Sequence, residues 1–266
     1  MTRYKNFRAT AAAVAATLAV VAAAALPAGA LAADSSSGSA ATKAGLHTYT
    51  VTITNISKGQ PLSPPLVATN FGQGQFFKAG GTANWGVQQI AENGNNMPLY
   101  ESAVQDMKDG FVTDVQRATA PLVPKGSPAD AMFDQTVTLT IKAKSRDRIN
   151  LISMIGCSND GFIGANAARL PQAKGRSVNL VVHDYDAGTE ENTEDFADLG
   201  AGCQAAIGVK SQFGATGTSM TNWELAEGGT IQRHDGVQGT SDDGLLVDVH
   251  GWQPRKLAKV TIKRID

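Results

Sequence analysis

The residues with the clearest potential for chemistry lie in HDYDAGTEENTEDFADLG, residues 183–200, which holds seven carboxylates and no lysine or arginine. Calcium takes about six to eight oxygen ligands, mostly carboxylates and backbone carbonyls. Asp186 and Glu190 flank Gly188, where the chain can bend, and Asp160 lies in a second loop, GCSNDGFIG. No EF-hand spacing is present. One interpretation of this stretch is therefore a Ca²⁺ site to which Asp160, Asp186 and Glu190 contribute from separate loops.

A second interpretation of the same stretch is a solvated loop that begins a helix. In ENTEDF, Asn192 or Thr193 can act as the N-cap, and Glu194 and Asp195 then fall in the first turn. The helix dipole favours an anion there by about 0.3 to 1 kcal/mol. We therefore assign Glu194, Asp195 and Asp198 to a helix start rather than to the metal site.

Catalytic motifs are absent from the sequence, which contains no His-Glu-x-x-His, no Gly-x-Ser-x-Gly and no phosphate-binding glycine loop. His183 and His250 fall at the ends of predicted strands, where a structural histidine is more common than a catalytic base. We therefore expect a protein that is not an enzyme. The alternative is a metal-assisted hydrolase in which the acidic stretch holds the metal and His183 is the base.

The N-terminal region has the three parts of a secretory signal. Basic residues in MTRYKNFRAT precede the apolar run AAAVAATLAVVAAAAL, and AGALA offers the small residues of a cleavage site. We interpret residues 1–32 as a signal peptide, 33–45 as a disordered leader and 46–266 as one domain. The protein is then secreted, periplasmic or in the cell envelope, with no membrane span after the signal is removed.

Both cysteines, Cys157 and Cys203, lie in the predicted mature domain. An exported chain enters an oxidising compartment, where disulfides persist. We therefore predict a Cys157–Cys203 disulfide, which would join the segment after ISMIGC to the loop just past the acidic stretch. Closing a loop of this length contributes roughly 3 to 4 kcal/mol in the chain-entropy model. The alternative is two unpaired buried thiols.

The charge balance argues against one class of partner. The chain has 23 basic and 24 acidic residues, and three of the basic residues lie in the predicted signal peptide, so the mature chain is modestly acidic. The other basic residues are spread among strands, linkers and the C-terminal segment. A nucleic-acid-binding protein needs a clustered basic face. We therefore expect no nucleic-acid partner.

Alternation of apolar and polar residues is the main structural signal. In HTYTVTITNIS, Tyr49, Val51 and Ile53 share one face while threonines take the other. Further strand candidates are QTVTLTIKA, RINLISMIG, SVNLVVHD, GLLVDVHGW and LAKVTIKRI. One dry and one wet face is typical of antiparallel sheets. The sequence therefore predicts an all-β fold, an antiparallel β-sandwich.

A short helical insertion is expected after the first of these strands. TANWGVQQIAENGN can begin with Thr82 as N-cap and end at Gly94, with Trp85 and Ile90 facing inward. MPLYESAVQDMKDG then predicts a second helix, with a proline in its opening turn and a glycine as its stop.

Five blocks of the sequence resemble, in this order, the spondin N-terminal domain family: YTVTITNISKGQPLSPPLVATN, AENGN, SNDGFIG, YDAGTEEN and WQPRKLAKVTIKRI. They cover nearly the whole predicted mature chain. The family's fold is a calcium-binding β-sandwich similar to a C2 domain, and its animal members act in adhesion and in matrix or cell-surface recognition. The resemblance therefore implies an antiparallel C2-like β-sandwich that binds Ca²⁺.

The resemblance also places the candidate ligands. Asp160 in NDGFIG and Asp186 in YDAGTE fall on the family's acidic metal-loop positions, Glu190 stands where animal members carry aspartate, and Gly161 replaces a tryptophan. The implied function is a non-catalytic adhesion or recognition module that binds an envelope component, a glycan or a protein. A metal-free structural protein of the envelope is a further alternative, in which the carboxylates should point apart into solvent.

Overall fold

Within residues 45–72 and 74–266, the part of the chain that the computed structural model describes, ten strands form two antiparallel sheets. The strands are β1 (Leu46–Asn55), β2 (Leu66–Phe71), β3 (Val112–Arg117), β4 (Thr136–Lys144), β5 (Asp147–Met154), β6 (Gly161–Arg169), β7 (Ser177–Leu180), β8 (His183–Asp186), β9 (Gln232–Arg233) and β10 (Ala258–Arg264). The strand order is β4-β1-β10-β7 in one sheet and β3-β2-β5-β6-β8-β9 in the other. This architecture confirms the predicted all-β antiparallel sandwich. The predicted signal peptide lies outside the described residues, as does the leader up to residue 44.

The core between the two sheets is built from residues that alternate along the strands. Val51 and Ile53 of β1 belong to the same buried cluster as Val260 of β10 and as Ile149 and Leu151 of β5. β1 pairs with both β4 and β10 along most of its length. Burying one such side chain stabilises the fold by about 1.5 to 3 kcal/mol. This buried cluster holds the two sheets together, so the loops at the ends of the strands leave from fixed positions.

The outer face of the six-stranded sheet packs against two helices, α1 (Trp85–Asn93) and α2 (Met97–Lys108). Val87 and Ile90 of α1 join Ile152 of β5 in a second buried cluster. The helical insertion that the sequence predicts is thus a third layer, and it covers the sheet whose loops carry most of the acidic residues discussed below.

α1 begins after Asn84 rather than after Thr82. The Asn84 side chain accepts a hydrogen bond from the Val87 amide (3.0 Å), and the helix ends at Gly94, which has a φ of 64°. The sequence predicts that Trp85 faces inward, but its side chain is 54% exposed. The expectation is wrong because Trp85 lies about 200° around the helix axis from the buried Val87.

Two predicted strands differ from the structure. SVNLVVHD forms two strands in different sheets, since β7 pairs with β10 and β8 pairs with β6, and the chain crosses between the sheets at Val181 and Val182. GLLVDVHGW contains no strand and instead forms a single helical turn, α4 (Val247–His250). In that turn the Leu246 amide donates to Nδ1 of His250 (2.9 Å). This local side-chain bond is not visible in the alternation pattern.

The Cys157–Cys203 disulfide is present, as predicted, and it joins the loop after β5 to α3 (Gly202–Ile207). It closes a loop across 46 positions of the sequence next to the acidic stretch. Among the described helices, none has the length and apolar character needed to cross a membrane.

β5 and β6 run from one end of the sandwich to the other. They are antiparallel neighbours, in which Met154 pairs with Phe162 near one end and Arg148 pairs with Arg169 near the other. The connection between them, residues 155–160, leads to Asp160. The connection between the two strands therefore places Asp160 at one end, and Arg148 and Arg169 lie at the opposite end.

Candidate metal centre

Asp160 and Asp186 come together because β6 and β8 are antiparallel neighbours. Gly161, the first residue of β6, pairs with Asp186, the last residue of β8. The loop before β6 and the loop after β8 therefore leave the sheet at the same end. The Ala187 amide donates to the Asp160 carbonyl (3.2 Å), which joins the two loops directly.

The loop after Asp186 also holds the Asp160 carboxylate. Oδ2 of Asp160 accepts hydrogen bonds from the amides of Thr189 (2.7 Å) and Glu190 (3.1 Å) and from the Thr189 hydroxyl (3.2 Å). Gly188, with a φ of 67°, provides the bend, and its amide donates to Oδ1 of Asp186 (2.7 Å). The sequence of this loop therefore fixes the orientation of both aspartates.

Two carboxyl groups at this end are almost completely removed from water. Asp160 is 0% exposed and Glu190 is 2% exposed. Burial, followed by the charge of Asp186, raises the pKa of Asp160 to about 7. Burial also raises the pKa of Glu190 to about 7, with further contributions from the charges of Glu92, Asp160 and Asp198. No lysine or arginine of the described chain forms an ion pair with these groups, so protons or a bound cation must relieve the negative charge.

Two carboxylate oxygens here are buried and have no hydrogen-bond partner among the described residues: Oδ1 of Asp160 and Oε2 of Glu92. Glu92 lies on α1, where its Oε1 accepts from Nε2 of Gln88 (2.8 Å). An unpaired buried polar atom costs about 1 to 3 kcal/mol, more when it is charged, and usually has a water or an ion as its partner. Both oxygens are of the type that Ca²⁺ prefers. We name Glu92, Asp160, Asp186 and Glu190 the acidic cluster.

The other two members of the acidic cluster are oriented by hydrogen bonds. Oδ2 of Asp186 accepts from Nδ2 of Asn192 (2.7 Å), and Oε1 of Glu190 accepts from the amide of Asn222 (2.8 Å). A carboxylate oxygen has two lone pairs, so one hydrogen bond leaves it able to bind a cation. These bonds therefore position the two groups without excluding them as ligands.

The acidic cluster offers the donor atoms of a Ca²⁺ site, but the distances between its carboxylate oxygens are longer than in a complete coordination shell. In the described part of the chain, three His, Cys, Asp or Glu ligand atoms lie within 4.8 Å of one another only at Cys157, Cys203 and His250. The two sulfurs of that group are joined in the disulfide. For three carboxylates of the acidic cluster to hold one ion, their oxygens would have to move towards each other.

The assignment of Glu194, Asp195 and Asp198 to a helix start is wrong. The chain forms turns here, and Glu194 has a φ of 58°. Its buried carboxylate accepts hydrogen bonds from the three amides of residues 238–240, at 2.6 to 3.0 Å. Asp195 accepts instead from the amide two residues ahead (2.8 Å), which closes a local turn. Glu194 therefore holds a loop that is distant in sequence. A prediction of helix capping considers only neighbouring residues and does not reveal this contact.

Two residues at this end are not singled out by the sequence patterns: Glu92, a member of the acidic cluster, and His234, which lies beside it. Glu92 belongs to AENGN, one of the five blocks of the resemblance, and that block was the available signal. His234 occupies the space beside Gly161: a β-carbon at position 161 would lie 2.9 Å from Cδ2 of His234 and would also meet Ser158. The space that a side chain at position 161 would need is thus occupied by a histidine from another loop.

The pocket beside Asp186 has a volume of about 140 Å³ and is lined by His234 rather than by His183. His183 lies next to two cations: its Nδ1 accepts from Nε of Arg255 (3.1 Å). Burial, together with the charges of Arg233 and Arg255, lowers the pKa of His183. His183, the base named in the hydrolase alternative, is therefore not among the residues that line this pocket.

Comparison with known proteins finds no family model that matches the chain and no curated protein that matches it. The resemblance to the spondin N-terminal domain therefore stays a prediction. The case for a function rests on the burial, the hydrogen bonds and the charges of the acidic cluster itself.

Proposed function

We propose that this protein is an exported, non-catalytic recognition module of the spondin N-terminal type that binds Ca²⁺ at the acidic cluster and contacts a glycan, an envelope component or a protein. The observation that carries the proposal is Asp160. Its carboxyl group is fully buried, one of its oxygens lacks a partner among the described residues, and its pKa is raised to about 7. A cation is the partner that stabilises such a group in its ionised form.

Burial of the cluster favours this proposal over a metal-free structural role. In a metal-free envelope protein the carboxylates should point apart into solvent, where they need no counterion. Asp160, Asp186 and Glu190 are instead all buried. Like charges held together away from water destabilise a fold unless something compensates them, and a bound Ca²⁺ ion would do so and stabilise the folded state.

The loop that holds Glu190 gives the proposed site a route to a partner. The amide of Asn222 donates to Glu190, and the nearby Met220 and Trp223 are largely exposed. Thr221, between them, accepts hydrogen bonds from two side chains of α1. Exposed aromatic side chains are frequent anchors of recognition surfaces. A cation at Glu190 would therefore fix the loop that presents Trp223.

Calorimetric titration of CaCl₂ into the chelator-treated protein tests the proposal. We expect binding that Asp160→Asn weakens at least tenfold, because this substitution keeps the shape of the side chain and removes its charge. Glu92→Gln should weaken binding as well if Oε2 is a ligand. Glu191→Gln is the matched control, since Glu191 is an exposed carboxylate of the same loop and should leave the affinity unchanged.

Two results would contradict the proposal. One is the absence of binding heat and of any calcium-dependent change in melting temperature while circular dichroism shows a folded protein. The other is equal calcium affinity in the wild type, Asp160→Asn and Glu191→Gln. If Asp160→Asn weakens binding and Glu92→Gln does not, the site stands without Glu92.

A further inference from the structure

The end of the sandwich opposite the acidic cluster has three arginines around one depression. Arg146 lies in the turn between β4 and β5, Arg148 on β5 and Arg169 at the end of β6. The depression has a volume of about 450 Å³ and is also lined by the exposed side chain of Phe71. We name Phe71, Arg146, Arg148 and Arg169 the basic pocket.

Two of these arginines are direct cross-strand partners. Arg148 pairs with Arg169 in the antiparallel β5–β6 ladder. Residues paired in this way have β-carbons about 4.5 to 5.5 Å apart on the same face of the sheet, and like charges there are destabilising. The ladder therefore places two arginine side chains at directly opposite positions, at a cost to the fold.

No carboxylate of the described chain compensates this charge through an ion pair. The ion pairs within 4.0 Å involve other groups, such as Arg264 with Asp266 (3.8 Å). Asp147 also lines the depression, but it is only 3% exposed, and its Oδ2 accepts a hydrogen bond from the Lys144 amide (2.7 Å). Even with Asp147 ionised, three arginines leave the lining with a net positive charge.

Phe71 gives the basic pocket a second kind of contact. This side chain, at the end of β2, is 67% exposed and lines both the basic pocket and an adjoining depression of about 300 Å³. The adjoining depression also contains the exposed Phe111 and the side chains of Asn70 and Ser102. Water-exposed aromatic rings offer a flat apolar surface beside polar groups, which suits a ligand that is apolar on one face and hydroxylated at its edges.

We propose that the basic pocket binds a saccharide that carries a sulfate or phosphate ester. Arginine recognises such tetrahedral oxyanions with paired N–H donors, and two adjacent guanidinium groups can share one anion. The sugar ring would lie against Phe71. This inference deepens the proposed recognition function by naming a ligand class, but it uses residues remote from the acidic cluster and needs no Ca²⁺.

A single-stranded nucleic acid is the other polyanion to consider, and the geometry favours it less. Such ligands need a basic groove that follows several phosphates and aromatic side chains that stack successive bases. The basic pocket has the size of one charged group and one ring, and the whole chain has a formal net charge of −1.

Calorimetric titration of four probes into the protein, each with and without EDTA, tests the proposal: a sulfated disaccharide, a hexose phosphate, the unmodified disaccharide and oligo(dT). We expect the sulfated disaccharide, the hexose phosphate or both to bind, with an affinity that falls as salt is added and does not change with EDTA. The esters that bind identify the anion. The unmodified disaccharide should bind at least tenfold more weakly.

Matched variants separate a specific site from general charge attraction. The double variant Arg148→Gln, Arg169→Gln should weaken binding of the ester at least tenfold. The control Lys58→Gln, Lys259→Gln removes the same charge from two exposed lysines elsewhere and should leave the affinity within twofold. Phe71→Ala should weaken binding of the ester several-fold and leave binding of inorganic sulfate unchanged.

Equal effects of the two double variants would overturn the proposal, as would equal affinity for the esterified and unmodified sugar, or oligo(dT) binding that exceeds binding of both esters. Circular dichroism of each variant checks that it is folded. Failure of calcium binding with intact ester binding would refute the metal site alone, and the reverse pattern would refute the basic pocket alone.

Discussion

The two ends of β5 and β6 handle charge in opposite ways. At the acidic end, Asp160 and Glu190 are buried and accept hydrogen bonds from backbone amides, and a disulfide lies beside them. At the basic end, Arg148 and Arg169 lie near the surface without an ion pair in the described chain. The carboxylates are therefore buried within the fold, where a bound cation could balance their charge. The arginines are accessible from solvent, where a ligand could reach them.

The two ends are far enough apart to act separately. β5 has eight residues, and at about 3.3 Å per residue it spans about 25 Å. The Debye length is about 8 Å at physiological ionic strength. Ligands at the acidic cluster and at the basic pocket should therefore bind independently, and a change at one end should leave the other nearly unaffected.

The largest effect should come from removing the disulfide of the acidic end. In the chain-entropy model, a loop closed across 46 residues contributes about 4 kcal/mol. We expect the double variant Cys157→Ala, Cys203→Ala to lower the free energy of unfolding in urea by about this amount. Amide exchange should accelerate more in the loops around Asp160 than around Arg169, because local opening near the lost disulfide adds to the global loss of stability. An equal acceleration of exchange at both ends would contradict the proposal that the acidic end and the basic end act independently.

The pH dependence of the calcium-free protein should have the next largest effect. The pKa of Asp160 and that of Glu190 are both raised to about 7 in the folded state. The folded protein therefore holds more protons than the unfolded chain between about pH 4 and pH 7, and it loses stability as pH rises through that range. Each pH unit by which a pKa is raised contributes about 1.4 kcal/mol, so we expect a loss of several kcal/mol, measured by urea unfolding in EDTA.

Asp160→Asn should flatten this pH profile, whereas Arg148→Gln, Arg169→Gln should leave its shape unchanged. Saturating Ca²⁺ should restore stability at pH 7, because the ion replaces the protons. A calcium-free protein that becomes more stable from pH 4 to pH 7 would show that the carboxylates are not buried together as described.

A smaller effect is expected from Gly161→Ala, which tests how tightly the acidic end is packed. The new methyl group would meet Ser158 and Cδ2 of His234. Overpacking of this kind costs about 1 to 3 kcal/mol. Gly202→Ala is the matched control, because a β-carbon there has open space and the residue is helical, so it should be neutral or slightly stabilising. Equal melting temperatures of the two variants would contradict the packing around position 161.

The smallest effect should come from the basic end. Arg148→Gln, Arg169→Gln removes a like-charge pair from the β5–β6 ladder, and such pairs change stability by about 0.2 to 1 kcal/mol. We therefore expect a slight rise in melting temperature at low salt that disappears at high salt. A clear loss of stability would mean that the arginines have a structural role and would weaken the case for a ligand.

The sandwich and the disulfide could be predicted from the sequence because they depend on local patterns. Alternation in HTYTVTITNIS identifies β1, and two cysteines in a chain that is predicted to be exported suggest one bridge. The division of SVNLVVHD between two sheets could not be predicted, because Val181 and Val182 look like the continuation of one strand.

The candidate sites could be predicted only in part, because local patterns do not show which distant segments meet. Asp160 and Asp186 follow strand patterns and were found, whereas Glu92 comes from a helix whose packing partner the sequence does not show. The basic pocket was not visible for a different reason: basic residues that are spread along the sequence meet in space when Arg148 and Arg169 fall into register. Register depends on long-range pairing, which composition does not record.

The crossing between the sheets at Val181 and Val182 also limits how this chain can change in length. β7 and β8 belong to different sheets, and only these two residues connect them. Because side chains alternate along a strand, one inserted residue would turn Asp186 to the opposite face of β8 unless the connection absorbed it. The exposed turn at Phe213 and Gly214 has no such constraint, with open space around the glycine. Insertions and deletions should therefore be tolerated at that turn and selected against at the crossing.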